Sequence, residues 1–317
     1  MSTAPAPIPD GVAPRTSPSG LAFGFGAYLL WGFLPLFFVA LAPSGPWETL
    51  AWRVLFSLAV SAVLITAMRL WGRLRQVLRS RRLLLGTVLA GVLIYVNWQT
   101  FLVASQTGHV LEASLGYFIN PIATVLLAVL VLHEKVRPLQ WAAVGVAGAA
   151  VVVIVVFYGR VPWLSLILAA SFALYGLVKK RMGGDVDAVS GLALETVWLT
   201  PVAIAQLAIV AATTGLTMGQ HGGIHAMLLV LSGVATAVPL LLFAAATHRV
   251  SLTTVGLMQF VAPILQFLVG VFLLGEEMPP ERWAGFCMIW VACLLLVLDM
   301  SLGARRRRRR RTGVTRS

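Results

Sequence analysis

The stretch LEASLGYFINP, from Leu111 to Pro121, decides the fold because its residue types conflict with their surroundings. It lies inside an apolar run from Val110 to Leu132, yet it contains a carboxylate at Glu112, an amide at Asn120 and a proline. An ionisable side chain at membrane depth is costly and marks a candidate functional site. A proline interrupts the backbone hydrogen bonds of a helix. The stretch therefore predicts an irregular membrane helix with a functional role.

The composition places the whole chain in a lipid bilayer. Of its 317 residues, 59% are hydrophobic and only 11% are charged, and the mean hydropathy is +0.90. Soluble domains carry about 25% charged residues. The apolar runs are continuous rather than alternating, which favours helices over a β-barrel. A spanning helix needs about 20 apolar residues, and ten such segments are predicted at 21–41, 47–68, 83–104, 110–132, 138–157, 162–178, 188–211, 225–247, 251–274 and 283–300.

The distribution of basic residues predicts the orientation. With ten spans, 21 of the 24 Lys and Arg residues fall on the side of the two termini and two on the opposite side, while Arg53 lies within the second span. This bias predicts a cell-membrane protein with both termini in the cytoplasm. The run Arg305–Arg311 is expected to attract anionic lipids. No aromatic interleaving or nucleic-acid-binding motif accompanies the basic residues, so no nucleic-acid partner is predicted.

An internal repeat relates the two halves of the chain. A shift of 142 residues places Pro121 on Pro263 and Glu134 on Glu276. Each half holds five spans, so the second half enters the membrane upside down. Inverted repeats with interrupted helices at matched positions are typical of secondary transporters, whose substrate site lies at the repeat interface. The predicted organisation is a disordered tail at 1–20, repeats at 21–157 and 162–300, an Arg-rich tail at 301–317, and helix breaks at the two prolines.

Three charged residues lie within predicted spans. Arg53 and Glu112 fall at similar depth on the extracellular side, so a gate or a static ion pair between them is predicted. Glu48 is a competing partner for Arg53. Alternatively, Arg53 anchors a substrate carboxylate. Glu195 falls near the cytoplasmic side, within reach of Lys179, Lys180, Arg181 or Arg249. A lone buried carboxyl group can carry a proton, which makes Glu195 a candidate for proton coupling.

Amide and aromatic residues also cluster within the spans, among them Trp31, Asn97, Trp98, Asn120, Tyr175 and Gln259. Two interpretations are open: hydrogen bonding between helices, or a cavity for amphipathic or aromatic solutes. Motifs for hydrolysis, phosphate binding or metal binding do not occur, so no enzyme activity, cofactor or metal site is predicted. Transport would therefore draw on an ion gradient or on the gradient of the substrate itself.

Several short motifs together resemble the RarD family, in the EamA branch of the drug/metabolite transporter superfamily. They are Ala27-Tyr28 with Trp31-Gly32, Glu48 with Arg53, Asn97-Trp98, the stretch 111–121, Gln140-Trp141, Tyr175-Gly176-Leu177-Val178, Glu195-Thr196 with Trp198, Val238-Pro239-Leu240-Leu241, and Gln259 with Pro263. The resemblance covers about residues 20–300. It implies ten helices in two inverted repeats, export of small molecules across the cytoplasmic membrane, and a central cavity lined by Trp31, Asn97, Tyr117, Asn120, Tyr175 and Gln259. Distant four-helix members couple protons through a glutamate in their first helix, and this chain has no acidic residue there.

These observations predict a secondary-active exporter of small amphipathic metabolites or drugs that works by alternating access. The alternatives are a channel, a lipid scramblase or a membrane scaffold that transports nothing. A scaffold has no need for Arg53, Glu112 and Glu195 inside the bilayer. The sequence leaves both a monomer and a homodimer open.

Overall fold

A computed structural model describes residues 17–133, 136–247 and 249–314, and this part of the chain is helical without β-strands. Ten candidate membrane spans occur in it, as predicted. Helices α10 and α11, with a π-helical turn at Val269–Leu273, share one span. The helices are α1 (Pro18–Val39), α2 (Pro46–Ala67), α3 (Trp71–Arg79), α4 (Arg81–Gln106), α5 (Val110–Leu132), α6 (Pro138–Tyr158), α7 (Trp163–Met182), α8 (Ala188–Thr213), α9 (Gly222–Thr247), α10 (Leu252–Met258), α11 (Val261–Leu268) and α12 (Pro280–Val314).

Both ends of the helical region extend beyond the prediction. Helix α1 begins at Pro18 because the Ser17 hydroxyl accepts a hydrogen bond from the Gly20 amide at 3.1 Å and proline suits the first turn. Predicted disorder is therefore wrong for residues 18–20, while residues 1–16 lie outside the described part. Helix α12 continues to Val314, through the Arg305–Arg311 run, because arginine is a good helix former. The attraction of this run to anionic lipids stays a prediction.

Helix α3 was not predicted. It spans nine residues between the second and third spans, with Val77 buried and Trp71, Leu78 and Arg79 at other positions around the helix. It is too short to register as a spanning segment. Its mixture of apolar and basic residues is typical of a helix that lies at the membrane surface.

The two halves pack on each other more than within themselves. The most extensive helix contacts join α6 to α12 and α2 to α8, which are repeat counterparts. The contact of α5 with α7 is as extensive as that of α2 with α8, and the contact of α4 with α7 follows. The counterparts of these two contacts, α1 with α11 and α1 with α9, are also present. A two-fold axis in the membrane plane generates such paired contacts. The fold is therefore an all-α membrane bundle of two inverted five-helix repeats, as predicted.

Close approaches between the halves require glycine. A Cβ atom added to Gly116 in α5 would lie 2.7 Å from the carbonyl oxygen of Ser165 in α7. One added to Gly233 in α9 would lie 2.5 Å from the carbonyl carbon of Phe56 in α2. Small residues let membrane helices approach closely, and large apolar side chains such as Phe157 remain on the outside, facing lipid.

Candidate substrate site between the two halves

A row of aromatic rings crosses the boundary between the halves. Phe38 in α1 meets Phe101 in α4 with centroids 5.9 Å apart, and Phe101 meets Tyr117 in α5 at 5.6 Å. Tyr117 then meets Phe172 in α7 at 6.0 Å, and Phe172 stacks on Tyr175 at the same distance. These spacings are typical of favourable aromatic pairs. We call Phe38, Phe101, Tyr117, Phe172 and Tyr175 the aromatic row.

Asn97 holds the middle of the aromatic row in place. Its side chain is buried, and its amide nitrogen donates to the Leu168 carbonyl and to the Ser171 hydroxyl, both at 3.2 Å. Its oxygen accepts a hydrogen bond from the Tyr117 hydroxyl at 3.1 Å. Since Asn97 in α4 has partners in both α5 and α7, it fixes the orientation of Tyr117 across the boundary.

Arg53 lies at one end of the aromatic row. Its guanidinium carbon is 4.3 Å from the ring centroid of Trp98 and 5.1 Å from that of Phe38, and its Nε donates to the Thr236 hydroxyl at 2.8 Å. The residue is 4% exposed, and Nη1 has no hydrogen-bond partner within the described part of the chain. The site therefore holds a buried cation supported by rings and one hydroxyl.

Glu195 lies at the other end. Its carboxylate accepts a hydrogen bond from Lys179 Nζ at 2.8 Å and from the Tyr175 hydroxyl at 3.2 Å. Of the four cations considered from sequence, Lys179 is thus a partner. Helical spacing explains why Lys179 and Tyr175 reach the same carboxylate, because these two residues are four apart and lie on one face of α7. The carboxylate is 2% exposed.

The predicted pair of Arg53 and Glu112 does not form in this structure. Glu112 faces Arg282 instead, with Oε1 and Nη2 3.9 Å apart. Glu48 is not a partner of Arg53 either, because its carboxylate binds the backbone amides of Thr217 and Met218 at 2.9 and 3.2 Å. The matched depth of Arg53 and Glu112 stays a prediction, and depth does not fix the direction in which a side chain points.

The remaining predicted lining residues do not join the aromatic row through the contacts observed. Trp31 belongs to a second group, with its ring 5.4 Å from Tyr28 and 5.8 Å from Phe243. Asn120 is half-buried, and its side-chain oxygen is without a hydrogen bond among the described residues. Gln259 is half-buried at the end of α10. The predicted set thus divides into several groups.

The helices at Pro121 and Pro263 differ from the prediction that each is broken at its proline. Helix α5 is continuous across Pro121, so the predicted break there is wrong. The ninth span is interrupted at 259–260, and Pro263 is the third residue of the helix that follows. Proline lacks an amide hydrogen for the carbonyl four residues earlier, which here belongs to Gln259. The interruption therefore lies one helical turn before the proline.

Glu276 is a structural contact between the halves that the sequence alone did not reveal. Its carboxylate accepts hydrogen bonds from the backbone amides of Val110 and Leu111, the first residues of α5, the latter at 2.9 Å. A carboxylate at a helix N-terminus satisfies free amides and complements the helix dipole. Its repeat counterpart Glu134 lies outside the described residues.

Sequence reasoning also missed Phe38, Phe101, Phe172, Ser171 and Thr236. A usable signal existed for three of them. Phe101 follows Asn97 by four residues, and Ser171 and Phe172 precede Tyr175 by four and three, which places each on the same helical face as a predicted residue. Phe38 and Thr236 carry no such signal because they come from other helices.

The arrangement has known relatives. The model of the EamA-like transporter family matches residues 18–156 and 161–298, which correspond to the two packed halves. The Protein RarD of Streptomyces exfoliatus is 47% identical and covers 92% of each chain. The Protein RarD of Escherichia coli (strain K12) is 37% identical over 90% of this chain and 96% of its own. This chain belongs to the RarD family, in the EamA branch of the drug/metabolite transporter superfamily.

A solved crystal structure adds to this assignment at the level of fold. It matches 90% of this RarD-family chain and 100% of its own with a TM-score of 0.58 at 18% identity. Together with the ten apolar helices, the relatives identify this RarD-family protein as a multi-pass membrane transporter.

Proposed function

We propose that the protein is a secondary-active exporter that carries small amphipathic metabolites or drugs by alternating access. The observation that supports this most directly is the aromatic row with Arg53 at one end and Glu195 at the other. Five rings offer apolar surface to an aromatic or aliphatic body, and the ends offer charged and hydrogen-bonding groups. Sites for small molecules combine these features, with a few placed polar groups in a mostly apolar lining.

Alternating access accounts for the burial of both ends of the row. Arg53 is 4% and Glu195 2% exposed, so a solute reaches either group only when helices of the two halves separate. The halves are joined by contacts that can re-form, such as the Ser114 hydroxyl on the Pro263 carbonyl at 2.8 Å. In inverted-repeat carriers one repeat rocks against the other around a fixed site.

Counterflow in proteoliposomes tests the carrier mechanism. Solutes are first selected from a metabolite library by the rise in unfolding temperature that they cause in the purified protein, because a ligand of the native state raises its stability. For a selected solute we expect saturable uptake that accelerates when unlabelled solute is loaded inside. Ionic conductance or non-saturable leakage would instead indicate a channel. Movement of labelled phospholipid between leaflets would indicate a scramblase, and absence of all three would indicate a scaffold.

Glu195 is the proposed site of proton coupling. Its carboxylate is buried, contacts Lys179 and Tyr175, and lies at the end of the row opposite Arg53. We expect Glu195→Gln to abolish the pH dependence of uptake and to retain ligand binding. Asp299→Asn is the control, because Asp299 lies within α12 and pairs with Arg137 just before α6, away from the row. An unchanged pH dependence in Glu195→Gln would reject this role.

A further inference from the structure

Arg53 is a buried cation without a buried anion. Within the described part of the chain, no carboxylate lies within ion-pair distance of its guanidinium group, although the residue is 4% exposed. The contacts of its guanidinium are the Thr236 hydroxyl and the rings of Trp98 and Phe38. Aromatic faces attract a cation but do not neutralise it. A buried charge without a partner is costly, and proteins retain such charges where they serve function.

The acidic groups that could neutralise Arg53 are occupied elsewhere. Glu195, its repeat counterpart at a shift of 142, is paired with Lys179 at 2.8 Å. Glu112 faces Arg282, and Glu48 binds the backbone amides of Thr217 and Met218. The repeat thus places a satisfied anion at one end of the aromatic row and a cation lacking an anion at the other.

The side chain presents a defined hydrogen-bonding group. Its Nε is used by Thr236, and its Nη1 has no acceptor among the described residues. Arginine is the side chain best suited to hold a carboxylate in a dry site, because it keeps its charge and offers planar donors. Among the described residues, Arg53 is the cation that contacts this end of the row. A singly charged anion therefore matches the site better than a doubly charged phosphate.

We propose that Arg53 binds the carboxylate of a monoanionic solute whose apolar, preferably aromatic, body lies along the aromatic row. This deepens the proposed function and rests on it, since the row is taken as the transport site. Binding neutralises the guanidinium group and supplies the acceptor that Nη1 lacks. The proposal assigns the substrate a chemical class: aromatic or aliphatic monocarboxylates rather than neutral or cationic solutes.

Matched pairs of probes test the proposal. Phenylacetate and phenylacetamide have nearly the same size and differ in charge, as do indole-3-acetate and indole-3-acetamide. Binding to the purified full-length protein is measured by thermal shift and by quenching of tryptophan fluorescence, since Trp98 lies 4.3 Å from the guanidinium carbon. We expect each carboxylate to bind at least about tenfold more tightly than its amide, because a bond to a charged group is lost with the amide. Equal binding, or no binding of either carboxylate, would overturn the proposal.

Substitutions test whether the preference for carboxylates depends on Arg53. Arg53→Gln should remove the preference for the carboxylates and Arg53→Lys should retain part of it. Arg137→Gln, which removes the same charge from an exposed arginine paired with the buried Asp299, should leave it unchanged. A preference that survives in Arg53→Gln would refute the assignment.

The stability of the unliganded protein provides a second readout. Removal of a buried charge that has a partner lowers stability, whereas removal of one without a partner raises it. We expect Arg53→Met to unfold at a higher temperature than the wild type in the absence of solute, and a lower unfolding temperature would count against the proposal. Carboxylate binding without counterflow would refute the transport function alone, and counterflow of neutral solutes independent of Arg53 would refute this inference alone.

Discussion

Helix α5 and the ninth span, made of α10 and α11, occupy matched positions in the two repeats and carry a proline at the same site, yet they differ in structure. Helix α5 is continuous from Val110 to Leu132, whereas the ninth span is interrupted at 259–260. The backbone at Gln259 stays in the right-handed helical region, and the Phe260 amide bonds three residues back, to Leu257 at 3.4 Å. The interruption is therefore a loss of hydrogen bonds rather than a reversal of direction.

Packing explains the difference. The first half of α5 is held at its N-terminus by Glu276, and the Ser165 hydroxyl of α7 donates to the Glu112 carbonyl at 2.6 Å. Helix α10 is only seven residues long, so in all it makes fewer contacts with its neighbours α1, α9 and α12 than the 23-residue α5 makes with α7. A proline thus weakens a membrane helix at a defined carbonyl, and the surrounding helices decide whether the helix separates there.

Glycine substitutions should have the largest effect on this comparison. We expect Gly116→Ala to destabilise the protein by about 1–3 kcal/mol, because the new Cβ atom would meet the Ser165 backbone at 2.7 Å. Gly256→Ala in α10 should be neutral or slightly stabilising. Its Cβ atom would meet only the flexible end of Met300, and alanine favours helix. Thermal unfolding of the purified variants measures both, and equal losses would contradict tighter packing of α5.

Removal of the N-terminal caps of the counterpart helices α5 and α10 should change stability by a smaller amount than the glycine substitutions. Glu276→Gln should lower stability by about 1–2 kcal/mol, because a charged acceptor for two amides at the start of α5 is lost. Ser251→Ala, which removes the single cap of α10 to the Thr254 amide, should cost about 1 kcal/mol or less. The exposed Glu277→Gln serves as the control for charge. A loss in Glu277→Gln as large as that in Glu276→Gln would show that net charge, not capping, is responsible.

Replacement of the prolines should have the smallest effect on global stability. It should have the clearest effect on local hydrogen exchange. In Pro263→Ala the new amide can bond to the Gln259 carbonyl, so we expect hydrogen exchange across 257–264 to slow about tenfold. In Pro121→Ala exchange in α5 should change less, because that helix is already continuous. Mass spectrometry of the exchanged peptides makes the comparison. Equal slowing at both sites would mean that the proline itself, and not the packing, sets the local stability.

Some features of the site could be predicted from the sequence and others could not. Arg53 and Glu195 are buried in the bundle, and Lys179 was among the cations expected near Glu195. The partner of Arg53 was not inferred, because Thr236 is 183 residues distant in sequence and carries no pattern of its own. The contact of Glu276 with α5 was missed for the same reason, since a loop carboxylate does not reveal which helix end it reaches.

The sequence by itself determined the ten spans, the inverted repeat and the set of polar residues inside the bilayer. These are linear properties, because the thickness of the hydrocarbon core sets the length of each span and each residue advances about 1.5 Å along a helix. Only the tertiary structure decided which side chains meet, such as Arg53 with Trp98 and Glu112 with Arg282. Each residue also rotates by about 100° around the helix axis. The facing neighbour therefore depends on how glycines and small residues let the helices of the two halves approach.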